Sequence, residues 1–227
     1  MKCTYFGHSS FLVETNGKKL LIDPMISANP LASSVEIDRI HPDYILISHG
    51  HEDHMADVET IVKNNPNSII VSSFEIFSWY QVKGIAGHPM NIGGKWTFDF
   101  GTLKYVQAVH SSMLPDGSYG GPSGGYVVWN DADAFYFAGD TALTLDMKLI
   151  PMTCPPLKVA FLPVGDNFTM GYEDALLAAD FIQCQTIIAC HYDTFGSIKI
   201  DKEKTKTHFA QKGKKLIFPE INQTLEF

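Results

Sequence analysis

From Tyr44 to Ile47 the chain is a short apolar, β-prone run that stops at Ser48. His49, His51, Asp53 and His54 follow at once. A run this short, bounded by polar and Gly residues, reads as a buried strand rather than a helix. In open α/β sheets, sites are built past the carboxyl ends of strands. Alternating residues of an extended segment point the same way, so His49 and His51 can share one metal ion. Asp53 and His54 then turn toward a second. Neutral imidazole and carboxylate suit a divalent ion such as zinc. Packing alone gives little reason to gather such residues at one strand end. The pattern H-x-H-x-D-H therefore predicts a two-metal site.

The rest of the chain is organised around similar strand ends. Residues 10–22 read as a hairpin about Asn16-Gly17, closing at Asp23-Pro24. Residues 25–43 read as loop, 55–64 as a short helix, 69–72 as a strand and 74–82 as an aromatic-rich helix. Residues 92–100 and 102–109 read as paired strands that end at His110, before a Gly- and Ser-rich loop at 113–125. A second hairpin, 125–138, ends at Gly139-Asp140-Thr141, where Asp140 takes the place of Asp23. Residues 159–163 match the 44–47 strand and lead into a loop at 164–171. An amphipathic helix at 173–182 and a strand at 187–190 follow, the strand ending at His191. A helix at 202–212, closed by Gly213, and strands at 216–218 and 224–227 complete the reading. Metal-type residues thus fall at strand ends: His49, His51, Asp53, His54, His110, Asp140 and His191. The expected fold is α/β, a four-layer αββα sandwich. It is expected as one domain, 1–227, with similar halves of about 1–112 and 113–227 and one site at their common edge.

Composition narrows the partners. The net charge is −8 and Arg39 is the single arginine among 227 residues. That disfavours nucleic acid, which is bound through clustered Lys and Arg. It also disfavours an arginine fork on phosphate. A small-molecule substrate is the expected partner, and oligomeric state stays open. No apolar run approaches the roughly 18–20 residues of a membrane span. Cys3, Cys154, Cys184 and Cys190 lack metal-type spacing and read as reduced thiols. With no charged and apolar leader pattern at the start, the expected location is cytoplasmic.

The ordered set H-x-H-x-D-H at 49–54, His110, Asp140 and His191 resembles the metallo-β-lactamase superfamily over nearly the whole chain. Gly7-His-Ser-Ser-Phe11, Leu21-Ile-Asp-Pro24, Gly139-Asp-Thr141, Phe168-Thr-Met-Gly171 and His191-Tyr-Asp-Thr-Phe195 look like its metal-dependent hydrolase group related to L-ascorbate-6-phosphate lactonase. The resemblance implies one ion on His49, His51 and His110. It implies a second on Asp53, His54 and His191, with Asp140 bridging. Two divalent ions are expected, zinc first, with manganese or iron as alternatives. The implied reaction is hydrolysis of a small ester, lactone or amide, with Asp53 relaying a proton and His8 placed as a substrate or proton-transfer residue. A phosphodiesterase and a redox di-iron protein are the alternatives. Asp23 reads equally as the partner that orients a ligand histidine and as a strand-end cap. Tyr172 and Asp193 depart from the group's pattern, and Asp193 is expected to alter the charge of the pocket. His41, His88 and His208 lie outside the pattern.

Overall fold

Runs such as 20–22, 44–47, 134–138 and 159–163 are apolar and buried on both faces, and the chain stacks those faces into layers. The computed structural model describes residues 1–227. The first sheet is built from β1 (Lys2–Gly7), β2 (Ser10–Thr15), β3 (Lys18–Ile22), β4 (Tyr44–Leu46), β5 (Ile69–Ser73) and β6 (Gly87–Met90). The second contains β7 (Lys95–Phe98), β8 (Gly101–Gln107), β9 (Gly124–Trp129), β10 (Ala134–Phe137), β11 (Val159–Pro163), β12 (Thr186–Cys190) and β13 (Lys215–Ile217). The last strand, β14 (Thr224–Glu226), returns to pair with β1. The helices are α1 (Glu52–Met55), α2 (Val58–Asn64), α3 (Phe74–Gln81), α4 (Ile150–Thr153), α5 (Tyr172–Phe181) and α6 (Lys202–Gln211).

The strand order is β14-β1-β2-β3-β4-β5-β6 in one sheet and β7-β8-β9-β10-β11-β12-β13 in the other. In each, three antiparallel pairings are followed by three parallel ones. The two sheets part between Met90 and Lys95. β7 and β8 belong to the second sheet, and β14 to the first.

Leu20, Ile22 and Leu46 of the first sheet meet Phe135, Phe137, Phe161 and Ile188 of the second in a core between the sheets. Residues of opposite parity face outward. Leu21, Ile45 and Ile70 pack on Val58 and Ile61 of α2 and on Ile76 and Tyr80 of α3. Tyr136, Ala160 and Ile187 pack on Ala175 and Ala179 of α5 and on Phe209 of α6. These are the four layers of the expected αββα sandwich. Two buried tyrosines of the second sheet pin the first beneath its strand ends. The Tyr126 hydroxyl donates to the Ile47 carbonyl at 2.5 Å, and that of Tyr105 to the Ser48 carbonyl at 2.9 Å.

Several elements differ from the sequence reading for local reasons. The helix expected at 55–64 is two helices, and α1 already begins at Glu52. Asp57 separates them, its buried carboxylate accepting the Ile26 and Ser27 amides at 2.5 and 2.9 Å. The strand expected at 92–100 is shortened to β7 because Gly93, at φ +87°, turns the chain before it. β6 went unread because Pro89 depresses the strand signal, and its place at the sheet edge is where proline is tolerated.

Replacing Phe161 by Ala is expected to cost about 3–5 kcal/mol, because its ring packs against Phe11, Phe135 and Phe137. Tyr126→Phe keeps the shape but leaves carbonyls under-satisfied, at about 1–3 kcal/mol. Both are read from denaturant midpoints at unchanged slope. A neutral Tyr126→Phe would show that the tyrosine does not secure the seam.

Candidate metal centre

The centre is assembled from strand ends of both sheets. β3 and β4 are parallel neighbours, so Asp23 and Ser48 emerge side by side. The buried Asp23 carboxylate accepts the Ser48 amide at 2.7 Å, the Ser48 hydroxyl at 2.6 Å and Nδ1–H of His54 at 2.7 Å. Since Ser48 Oγ donates to Asp23, it receives Nδ1–H of His49 at 2.9 Å. Both imidazoles are therefore set with Nε2 turned inward as a lone-pair donor. α1 carries Asp53 and His54 back over the strand end, so they leave the direction taken by His49 and His51.

From the second sheet come His110, Asp140 and His191. The Val109 amide donates to Thr141 Oγ1 at 3.0 Å and the Ala142 amide to the Val109 carbonyl at 3.1 Å, which ties His110 to Asp140. His191, at φ +54°, follows β12, and its amide donates to the His8 carbonyl at 3.0 Å. Gly165 permits this approach, because a Cβ there would lie 2.0 Å from the His191 carbonyl oxygen.

The side chains fall into two groups joined by one oxygen. Ligand-type atoms of His49, His51 and His110 lie within 4.8 Å of one another, as do those of His8, Asp53, His54 and His191. Asp140 Oδ2 lies between the groups. It is 3.9 Å from Nε2 of His49 and 3.6 Å from Nε2 of His110, and 3.3 Å and 2.9 Å from Nε2 of His54 and His191. Asp53 Oδ2 lies 3.1 Å from His8 Nε2, with His54 and His191 Nε2 at 3.8 and 3.9 Å.

The electrostatics call for a cation. Burial pushes the His54 imidazole down, but Asp140, Asp53 and Asp23 overcome it and raise His54 well above its ordinary value. Burial pushes Asp140 up, but His54 and His191 hold it well below the usual carboxylate range. His49 lies well below the imidazole range, chiefly through burial, with His54 adding to the shift. His54 Nε2 and Asp140 Oδ1 are buried without a hydrogen-bond partner. Unpartnered donor atoms, converging carboxylates and a nitrogen and oxygen set match what divalent ions take.

All seven candidate ligands are thus brought together, with His8 beside them. The His8 side chain has no exposed surface, which removes it from direct contact with a substrate. Its Nε2–H donates to Asp53 and its Nδ1 faces Thr194 Oγ1 at 2.9 Å. Burial, partly offset by Asp53, moves its pKa down to about 4, so it is neutral near pH 7. Asp23 is an orienting partner of His54 rather than a cap alone. Asp193 does not charge the centre. Its carboxylate accepts the Ile200 amide at 3.2 Å and pairs with Lys202 at 2.9 Å, beside a separate cavity of about 670 Å³. Tyr172 opens α5 with its ring against His208, away from the centre. Ser48, Thr194 and Ser111, which lies 3.3 Å from His51 Nε2, were not singled out from sequence. Ser48 and Thr194 sit inside motifs already marked by their histidines. Their hydroxyl roles depend on contacts with residues far along the chain.

Residues 2–191 match a family profile described as beta-lactamase superfamily domain. A metal-dependent hydrolase of Flavobacterium johnsoniae is 51% identical over 226 residues, covering 100% of both chains. One from Methylacidiphilum infernorum is 49% identical over 210 residues, covering 92% of each. Among solved structures, a metallo hydrolase from Ignicoccus hospitalis superposes with a TM-score of 0.89 at 34% identity, covering 100% of this chain and 98% of that one. An isothiocyanate hydrolase from Delia radicum gut bacteria shares the fold, with a TM-score of 0.80 at 22% identity over 100% of this chain and 99% of its own.

The His54 proton gives a pH prediction. Its folded pKa is raised above 6.5, so in metal-free protein it contributes stability present below that pH and lost as pH rises through the raised value. A cation at Nε2 displaces that proton. Divalent metal added near neutral pH is therefore expected to release about one proton per protein, with affinity rising as pH rises. Calorimetry in two buffers of different ionisation enthalpy measures this. Proton release that survives in His54→Gln would assign it to another group.

Proposed function

The chain belongs to the metallo-β-lactamase superfamily, and on that premise we propose that it hydrolyses small esters, lactones or amides through two divalent ions, zinc first. The chain is a metal-dependent hydrolase, as its relatives are named; the two-ion centre and the bond class are our reading. The observation that supports it is Asp140 Oδ2 between two groups of donors. One ion would be held by His49, His51 and His110. The other would be held by Asp53, His54 and His191, with Asp140 shared.

When bound, the ions supply Lewis acidity toward a carbonyl oxygen and make hydroxide available near neutral pH. The chain's own residues set the geometry and move the proton. Asp53 is the candidate ligand carboxylate with real solvent contact, 26% exposed against 3% for Asp140. In this reading it takes a proton from the attacking water and passes it to the departing oxygen or nitrogen. His8 donates to Asp53 and fixes the orientation of that carboxylate, while Thr194 holds the other ring nitrogen of His8. Asp23 and Ser48 fix the tautomers of His54 and His49, which keeps both lone pairs inward. Asp53 thus acts on the reacting atoms, and His8 acts through it.

The setting we propose is cytoplasmic, with a small molecule as partner and no nucleic acid or membrane. All four cysteines are free, and no helix is long and apolar enough to cross a membrane.

The test is a panel of lactone, ester, thioester, β-lactam and bis-p-nitrophenyl phosphate substrates on protein whose metals are counted by mass spectrometry. Carboxylic substrates are expected to be turned over and His49→Ala to abolish turnover. Asp53→Asn is expected to lower kcat by about 10²–10⁴. Preference for the phosphodiester would replace the bond class. Iron with oxygen consumption would replace hydrolysis by redox chemistry.

A further inference from the structure

Large apolar side chains are left in water around the centre. Five of the thirteen exposed large hydrophobic residues sit on the loops that build it: Val109, Met113, Tyr119, Phe168 and Phe195. Val109 precedes His110 and is bonded to Thr141. Met113 bridges to Tyr119, and the Met113 carbonyl abuts Gly50, between His49 and His51. The loop carrying Phe168 is tied to Thr141, beside Asp140, by the Met170 amide at 3.0 Å. The Phe195 ring stands edge-on to His8 at 5.4 Å. Their exposures are 47% for Val109, 57% for Met113, 68% for Tyr119, 54% for Phe168 and 40% for Phe195. Exposed apolar groups carried on loops that each adjoin the centre point to a binding surface at its mouth.

The charges around the same loops disfavour one kind of ligand, Lys199 being the one cation on the 193–200 loop. Segments 48–57, 108–124, 139–144, 164–171 and 191–198 contain no Lys or Arg. Glu52, Asp116 and Asp166 on these segments are exposed acids. An anionic arm reaching past the centre meets no counter-charge from them and three carboxylates. An apolar arm meets aromatic and thioether surface, which gains from burial.

Resting on the hydrolase reading above, we propose that the substrate is uncharged away from the scissile bond and carries an apolar arm. Phe195 and Phe168 receive that arm and determine specificity. Each methylene buried there gains roughly threefold to fourfold in kcat/KM.

The experiment uses metal-loaded full-length protein and p-nitrophenyl esters from acetate to octanoate. A matched ester whose acyl chain ends in a carboxylate is included. Specificity is expected to climb with chain length and to fall at least about tenfold when the terminus is charged. Phe168→Ala is expected to raise KM for octanoate about fivefold or more, with the loss shrinking as the chain shortens, and Phe168→Leu to recover most of it. Phe195→Ala should act in the same direction, and more strongly. Binding of 1-octanol against ethanol, followed by calorimetry, reads the same surface without turnover. Octanol is expected to bind more tightly, with a negative heat-capacity change that Phe168→Ala reduces. If no ester is cleaved but octanol binds as described, the bond class above is wrong and the apolar subsite stands. Flat chain-length dependence, preference for the charged ester, or equal weak binding of both alcohols overturns the subsite. A change of oligomeric state in Phe168→Ala with unchanged chain-length dependence also overturns it, by making the surface an interface between copies.

Discussion

A carboxylate with no exposed surface secures this site. Asp23 takes two donors from Ser48 and one from His54, all within 2.7 Å. A buried carboxylate costs several kcal/mol unless its oxygens are satisfied, so this geometry has little freedom. It locks the end of β4 to the end of β3 and sets two imidazole tautomers at once. The donor directions of His49 and His54 are thus consequences of how two parallel strands terminate. The tyrosines that bond the Ile47 and Ser48 carbonyls extend the same lock to the second sheet.

Asp140 stands at the matching place of the second sheet, just after β10, and its surroundings are the inverse. Asp23 is saturated by donors. Asp140 keeps one oxygen without a partner and directs the other among four imidazole nitrogens. The same topological position thus serves once as scaffold and once as part of the centre. The difference lies in what surrounds each carboxylate. Ser48 lies beside Asp23 in the first sheet, whereas Asp140 faces His54 across the seam and His191 at the end of a strand of its own sheet.

Much of this was readable from sequence because the driving signals are local. Short apolar, β-prone runs marked β2, β3, β10 and β11, and Asn16-Gly17 marked the first hairpin. The seven candidate ligands stood out because His and Asp at successive strand ends have no packing explanation. What escaped was non-local. β6 carries a proline and is defined by its neighbour β5. The break at Asp57 depends on amides of the 26–27 segment. Which sheet β7 and β8 join depends on their pairing onward to β9, which no single segment of sequence shows. The burial of His8 follows from Thr194 and His191, more than 180 residues away, and no window of sequence contains it.

The centre and its rim are subject to opposite physical demands. Inside, Asp23, Asp53 and Asp140 gather three negative charges, which two divalent ions would more than balance. A single proton on His54 balances them only in part, so folding of the seam and metal loading are linked. Any ion that binds the folded state and not the unfolded chain adds stability according to its concentration over its dissociation constant. Outside, the 109–119, 165–171 and 193–200 loops carry exposed apolar side chains, Val109, Met113, Tyr119, Phe168 and Phe195. Those groups lie outside the bonds that set the centre's geometry. The surface that selects a substrate can therefore change while the centre, fixed from both sheets, stays as it is.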